Sequence, residues 1–163
     1  MKLGIISDTH GNAANTWKAM EIFLREGVEE IIHCGDVGSA EVVKILAKLP
    51  CHYVFGNTDM PGTIRAAILA ENQTCHDYVG VLAREGVRIA FLHGNDWRTL
   101  DELIESGKFD LICTGHTHEF HWMVQGETRL LNPGALERTP SPSVVILKLP
   151  ELQIEQKQLL LEK

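Results

Sequence analysis

Short apolar runs alternate with helically spaced apolar positions along the first third of the chain. Residues 2–7 (KLGIIS) read as a buried strand. Trp17, Met20, Phe23 and Leu24 then fall on one helical face, with Asn12 as a cap and Gly27 as a stop. Residues 29–34 (EEIIHC) form the next strand. Residues 39–49 form a second helix, capped by Ser39 and ended before Pro50, and residues 51–55 (CHYVF) form a third strand. Pro61 opens a helix that runs to about Glu71. Two strands flank Arg84-Glu85-Gly86, and Leu100, Leu103 and Ile104 mark a helix between Asp96 and Gly107. Residues 109–114 (FDLICT) are another strand. Beyond residue 118 the pattern is strand-rich: FHWMVQ and TRLLN flank Gly126, and SVVILKL and ELQIEQKQLLL flank Pro150.

The opening β-α-β-α-β order implies parallel strands joined by right-handed crossovers. The expected fold is α/β, with a second, mostly antiparallel set of strands from the C-terminal part. No repeat, low-complexity segment or linker divides the chain, so residues 1–163 are read as a single domain.

Composition changes this picture little. A hydrophobic content of 44% with 23% charged residues is a globular profile. The net charge of -7 argues against broad nucleic-acid binding, which needs a basic surface. The four cysteines, Cys34, Cys51, Cys75 and Cys113, form no CxxC pair and suit buried thiols in a reducing compartment. MKLGIISD reaches an aspartate too soon for a signal peptide, and no apolar run is long enough to cross a membrane. A cytoplasmic location is expected.

The chemistry sits directly after the core strands. Asp8 and His10 come after the first, Asp36 after the second and Asn57 after the third. His93 ends the strand that starts beyond Gly86, and His116 and His118 come after LICTG. In a largely parallel sheet these ends share one edge, where α/β proteins usually build their sites. Residues i and i+2 of extended chain point the same way, so Asp8 with His10, and His116 with His118, aim two ligands at one point. Two carboxylates, one amide oxygen and four imidazoles, with no thiolate, suit Mn, Fe, Ni, Co or Zn. Seven ligands exceed one tetrahedral ion and fit two ions sharing a bridging carboxylate. Such a pocket is locally cationic, and a phosphate is its natural guest.

Asp8-Thr9-His10, Gly35-Asp36, Gly56-Asn57, His93-Gly94 and Gly115-His116-Thr117-His118 together resemble the calcineurin-like metallophosphoesterase superfamily. SDTHGN, HCGDVG, TGHTH and LNPGA are most similar to its small YfcE-like and archaeal phosphodiesterases. The resemblance spans residues 3 to about 147. It implies a two-sheet α/β sandwich flanked by helices, four layers ordered α/β/β/α. It implies two divalent metal ions, manganese foremost, with nickel, iron, zinc, cobalt or magnesium as alternatives. One ion falls to Asp8, His10, Asp36 and His118; the other falls to Asp36, Asn57, His93 and His116, with Asp36 as the bridge. A metal-held hydroxide attacks a small phosphodiester, and Asp36, Asn57 and His93 carry the catalysis, Asn57 also touching the phosphate. Many members have histidine where this chain has Thr58, and that histidine is assigned protonation of the leaving group. Threonine has no useful acidity near neutrality.

Each residue also has an ordinary reading. Asp8, Asp36, Asn57 and His93 suit strand-end turns, and His116 with His118 suit an exposed turn pair. Asp59 is expected to orient neighbours or cap the helix at Pro61. Asn132-Pro133-Gly134 reads as a type II turn. Arg138 meets either substrate or solvent, and Trp97 and Trp122 either line the pocket mouth or pack ordinarily. His33, His52, His76 and His121 match no motif and receive no role. Two other functions compete with hydrolysis of a small phosphodiester: a non-catalytic scaffold of the kind the retromer subunit with this fold provides, and a metal-dependent nuclease, which the acidic balance disfavours. Nothing in the sequence fixes the assembly state, and a homo-oligomer is compatible with it.

Overall fold

In the computed structural model, residues 1–160 are described. β1 (Lys2–Ile6), β2 (Glu30–His33), β3 (Cys51–Tyr53) and the two-residue β4 (Thr74–Cys75) lie parallel in one sheet. α1 (Ala13–Glu26), α2 (Ala40–Leu46) and α3 (Pro61–Ala70) connect them. β10 (Ser143–Lys148) and β11 (Gln153–Gln158) extend the other edge antiparallel, giving the order β11-β10-β1-β2-β3-β4. The second sheet holds β5 (Val79–Arg84), β6 (Val87–Leu92), β7 (Leu111–Cys113), β8 (Phe120–Gln125) and β9 (Thr128–Pro133) in the order β5-β6-β7-β9-β8. Its centre, β6-β7-β9, is parallel, and α4 (Trp97–Glu105) links β6 to β7.

Period-two alternation assembles the layers. Leu3 and Ile5 of β1 point between the sheets, where they meet Ile89, Phe91, Leu111 and Leu131 from the second sheet. Ile6 and Ile31 point the other way, onto Met20 and Phe23 of α1 and Val42 and Val43 of α2. On the far side, Ala90, Leu92 and Ile112 receive Leu100, Leu103 and Ile104 of α4. The order is therefore helices, sheet, sheet, helix, as the sequence resemblance implied.

Two expectations need correction, and one element has no expectation. The C-terminal strands do not form a set of their own: β8 and β9 complete the second sheet, while β10 and β11 join β1 in the first. The buried face of α1 is Thr16, Ala19, Met20 and Phe23, whereas Trp17 and Leu24 are about half exposed. Spacing alone does not choose between adjacent faces when apolar residues also occupy the flank. Finally, β4 is too short to leave a periodic signal; the hydrogen bonds of parallel pairing with β3 define it.

Asn12 accepts from the Asn15 N–H as the α1 cap, Gly27 ends α1 in the left-handed conformation, and Ser39 and Asp96 cap α2 and α4. Among the described residues no helix is long and apolar enough to cross a membrane. The four thiols are unbridged, and burial pushes those of Cys34, Cys51 and Cys113 well above the ordinary range.

Candidate metal centre

The carboxyl ends of β1, β2 and β3 from one sheet meet those of β6 and β7 from the other, and all seven candidate ligands lie on the turns next to them. These turns are not extended. Asp8, His10, Asp36, His116 and His118 all have left-handed backbone, with φ between 43° and 69°. Left-handed turns, in place of the expected extended i, i+2 alternation, bring these side chains together. Non-glycine residues in this region are strained and persist where their surroundings over-determine them.

The surroundings do so here. Asp8 N–H donates to the Gly35 carbonyl at 3.0 Å and His10 N–H to the Asp36 carbonyl at 3.0 Å, locking the first two turns together. Asp59 accepts the N–H groups of Val37, Gly38 and Gly56 at 2.9–3.1 Å, which ties the second turn to the third. It orients neighbours, as one of its two expected roles had it; the cap position of α3 is Met60. Gly56 is required by space: a Cβ there would run into the Asp36 carboxylate. Gly115 is required likewise, since a Cβ would strike the Ser7 hydroxyl and the Asp8 carboxylate.

Two compact groups result, Asp8-His10-His118 and Asp8-Asp36-His93, each with one ligand atom per residue and all atoms within 4.8 Å. Asp8 Oδ1 faces the Nε2 atoms of His118, His10 and His93 at 3.1, 3.7 and 3.9 Å. Asp8 belongs to both groups and Asp36 to the second, its Oδ2 lying 3.6 Å from His10 Nε2 and 3.2 Å from His93 Nε2. Asn57 is exposed, with Oδ1 3.1 Å from His93 Nε2. His116 is also exposed; its ring lies edge-on to His93 at 5.1 Å, and its N–H, at 3.1 Å, donates to Asp8 Oδ2. His116 and His118 therefore part company, one towards His93 and the other towards His10.

The donor set fits a cation. His93 Nδ1–H donates to the Cys34 carbonyl at 2.8 Å, which turns the Nε2 lone pair towards Asp36 and Asn57. His118 Nδ1 similarly faces the Arg138 carbonyl at 3.4 Å, leaving Nε2 for Asp8. Acceptors thus face acceptors, and they repel unless a proton or a metal ion lies among them. Asp8 Oδ1 is buried without any hydrogen-bond donor, a costly state for a carboxylate. Its other oxygen accepts from Ser7 Oγ at 2.6 Å.

Protonation is set by the same contacts. Burial pushes Asp36 up, but bonds from His93 and the Thr58 N–H hold it well below the usual carboxylate range. Burial pulls His93 down, yet Asp36, Asp8 and the Cys34 carbonyl leave it above its ordinary value. His10 is lowered, by burial first.

Several positioning groups carry no motif signal. His33 matches no motif, yet its Nε2 contacts Thr9 Oγ1 at 3.0 Å and its Nδ1 accepts the Gly35 N–H at 3.2 Å. Full burial holds this imidazole down at about 3, so it braces the turns as a neutral strut. Asn132 is buried. Its amide donates to the Gly115 carbonyl at 2.7 Å and Thr117 Oγ1 at 3.1 Å, pinning the His116–His118 turn, and its oxygen accepts the Gly134 N–H at 3.0 Å. Pro133 belongs to β9, so this segment is a strand end with an Asx bond in place of the expected type II turn. A polar residue beside Pro-Gly at the close of a strand is the available clue. Arg138 is exposed with left-handed backbone, Trp97 is 63% exposed, and Trp122 packs against the inter-sheet core.

Residues 1–151 match the model of the calcineurin-like phosphoesterase superfamily domain. Phosphodiesterase MJ0936 of Methanocaldococcus jannaschii is 34% identical over 139 residues, covering 82% of this chain and 83% of its own. A solved archaeal phosphodiesterase superposes with a TM-score of 0.90 at 31% identity, over 98% of this chain and 100% of that one. The phosphoesterase YfcE of E. coli shares the fold, with a TM-score of 0.71 at 21% identity over 98% and 100% of the two chains. With the family model spanning residues 1–151 and candidate strand-end residues gathered in two adjoining groups, the chain belongs to the calcineurin-like phosphoesterase superfamily.

Proposed function

We propose that this centre holds two divalent metal ions and hydrolyses phosphodiesters. The observation that carries the reading is Asp8 Oδ1, a buried carboxylate oxygen with no donor, confronted by three imidazole Nε2 atoms within 3.9 Å. Our assignment gives one ion to Asp8, His10, Asp36 and His118 and the other to Asp36, Asn57, His93 and His116. Bound there, the ions would neutralise phosphate charge and lower the pKa of a coordinated water to roughly 7, supplying the nucleophile. Manganese is our first choice, ahead of nickel, iron, zinc, cobalt and magnesium.

The chain supplies orientation. The Cys34 carbonyl fixes the His93 tautomer, and the Thr58 N–H, 2.9 Å from Asp36 Oδ1, fixes the carboxylate that our assignment gives to both ions. Asn57 stands exposed at the mouth, where its amide N–H can donate to a phosphate oxygen. Thr58 is exposed beside it and offers no acid for the departing alcohol. Hydrolysis therefore favours esters whose leaving groups are weak bases. A small phosphodiester is the proposed partner, and the reducing cytoplasm suits the unbridged thiols.

The test starts from metal-free protein. Calorimetric titration with Mn(II) should show two equivalents bound. The loaded protein should then turn over bis-p-nitrophenyl phosphate faster than the monoester or single-stranded DNA, and Asp36→Asn should abolish that turnover. Tight metal binding with no turnover of any substrate would favour the scaffold, and preference for the DNA would favour a nuclease.

A further inference from the structure

A cleft of about 280 Å³ adjoins the centre, with Phe55, Tyr78, His93, Asn95, Asp96 and Thr99 in its walls. His93 belongs to both, so whatever occupies the cleft lies next to the reacting phosphate. One wall is aromatic. Tyr78 is 61% exposed and stands edge-on to Phe55 at 5.6 Å, leaving much of the phenol ring open. The cleft also offers hydrogen-bond acceptors. Asp96 already receives the Arg98 N–H at 3.2 Å and the Thr99 hydroxyl at 2.8 Å, with lone pairs to spare, and Asn95 is exposed beside it. Among the described residues no lysine or arginine lines the cleft. Arg65 lies over the Phe55 ring but is tied to Asp77 at 2.6 Å.

We propose that this cleft is a subsite for an uncharged aromatic ring carried by an alcohol group of the phosphate ester, a nucleobase linked through its sugar or an aryl group linked directly, stacked on Tyr78. The proposal rests on the phosphodiesterase reading for the ester and on the cleft alone for the ring. A ring gains stacking on Tyr78 and, where it carries N–H or O–H groups, acceptors at Asn95 and Asp96. A second anionic arm meets the Asp96 carboxylate, and among the described residues no lysine or arginine lines the cleft to receive it. The subsite thereby selects diesters with a neutral ring over diesters or pyrophosphates with further negative charge.

Uncharged probes separate this from catalysis, because they need no metal. Adenosine titrated into metal-free protein should shift the backbone amide signals of Gly94, Asn95 and Thr99 saturably in NMR spectra. Shifts with phenol but not adenosine would identify the ring as a simple aryl group, and inorganic phosphate should leave these signals in place. Tyr78→Ala should weaken the binding about fivefold, the low end of aromatic stacking at an exposed site, while Tyr78→Phe retains it. In the Mn-loaded protein, Tyr78→Ala should raise KM for bis-p-nitrophenyl phosphate by about the same factor and leave kcat within about twofold. Amides unmoved by either ring, or moved equally in Tyr78→Ala, would overturn the subsite. Saturable shifts without any diester turnover would sink the hydrolase proposal and leave the subsite standing.

Discussion

β2 carries carboxylate and imidazole chemistry at both ends, to opposite results. At its start Glu30 is fully partnered. Arg84 donates to it as a fork, Nε and Nη2 each at 2.8 Å, His52 Nε2 lies at 2.6 Å, and His52 Nδ1 meets His76 Nε2 at 2.9 Å. Beyond its far end, Asp36 joins Asp8, whose Oδ1 has no donor, and imidazole lone pairs converge on the two carboxylates. Residue type does not separate a structural ion-pair network from a ligand cradle. Completion does: a network that satisfies itself holds two sheets together, and one that leaves acceptors facing acceptors awaits a cation.

The comparison breaks if the two ends respond alike to neutralisation. The largest effect is expected from Asp8→Asn, which should cut diester turnover by at least about a hundredfold. The same change should not lower the metal-free thermal midpoint, because it replaces the donorless Oδ1 by an uncharged amide group while the other oxygen can keep its bonds from Ser7 and the His116 N–H. Calorimetry beside steady-state kinetics checks both halves.

Glu30→Gln should do the converse. The loss of a largely buried fork and a buried imidazole bond costs about 2 kcal/mol, about 4–8 °C in a chain of this size, with kcat unchanged. Burial opposes its ionisation, but Arg84 and His52 hold Glu30 below its ordinary 4.5. A depressed carboxylate contributes its stability above the unfolded pKa and loses it as pH falls through the folded one. The stability gap between wild type and Glu30→Gln should therefore be widest above about pH 5 and close below 4.5. Urea unfolding across that range measures it.

Asn132→Ala sharpens the picture between these extremes. It touches neither proposed ion, but it frees the turn that carries His116 and His118. Metal affinity should weaken by about tenfold, as for other residues that orient ligands. The smallest effect is expected from Thr58→His. Wild type should show the steeper fall of kcat/KM with leaving-group pKa across a series of aryl esters. Equal slopes would remove the argument that this chain lacks a general acid.

The fold and the ligand positions are legible for different reasons. Strand-helix alternation with strong caps at Asn12, Ser39 and Asp96 is local information, so most elements can be read from it. The seven candidate residues are legible because each comes directly after a strand. The pairing of β10 and β11 beside β1 is a long-range register that no local pattern encodes. The bracing by His33 and Asn132 is equally hidden: a buried histidine in an apolar strand looks like core, and its bonds run to Thr9, 24 residues away in the chain, and to the backbone N–H of Gly35.

The centre also joins parts of the molecule that are remote along the chain. His10 and His118 are 108 residues apart, and they come from turns of different sheets. An ion between them would act as a reversible crosslink closing a very long loop, and such links restrict the unfolded ensemble most. Metal supply would then govern how long the polypeptide survives proteases as well as whether it works.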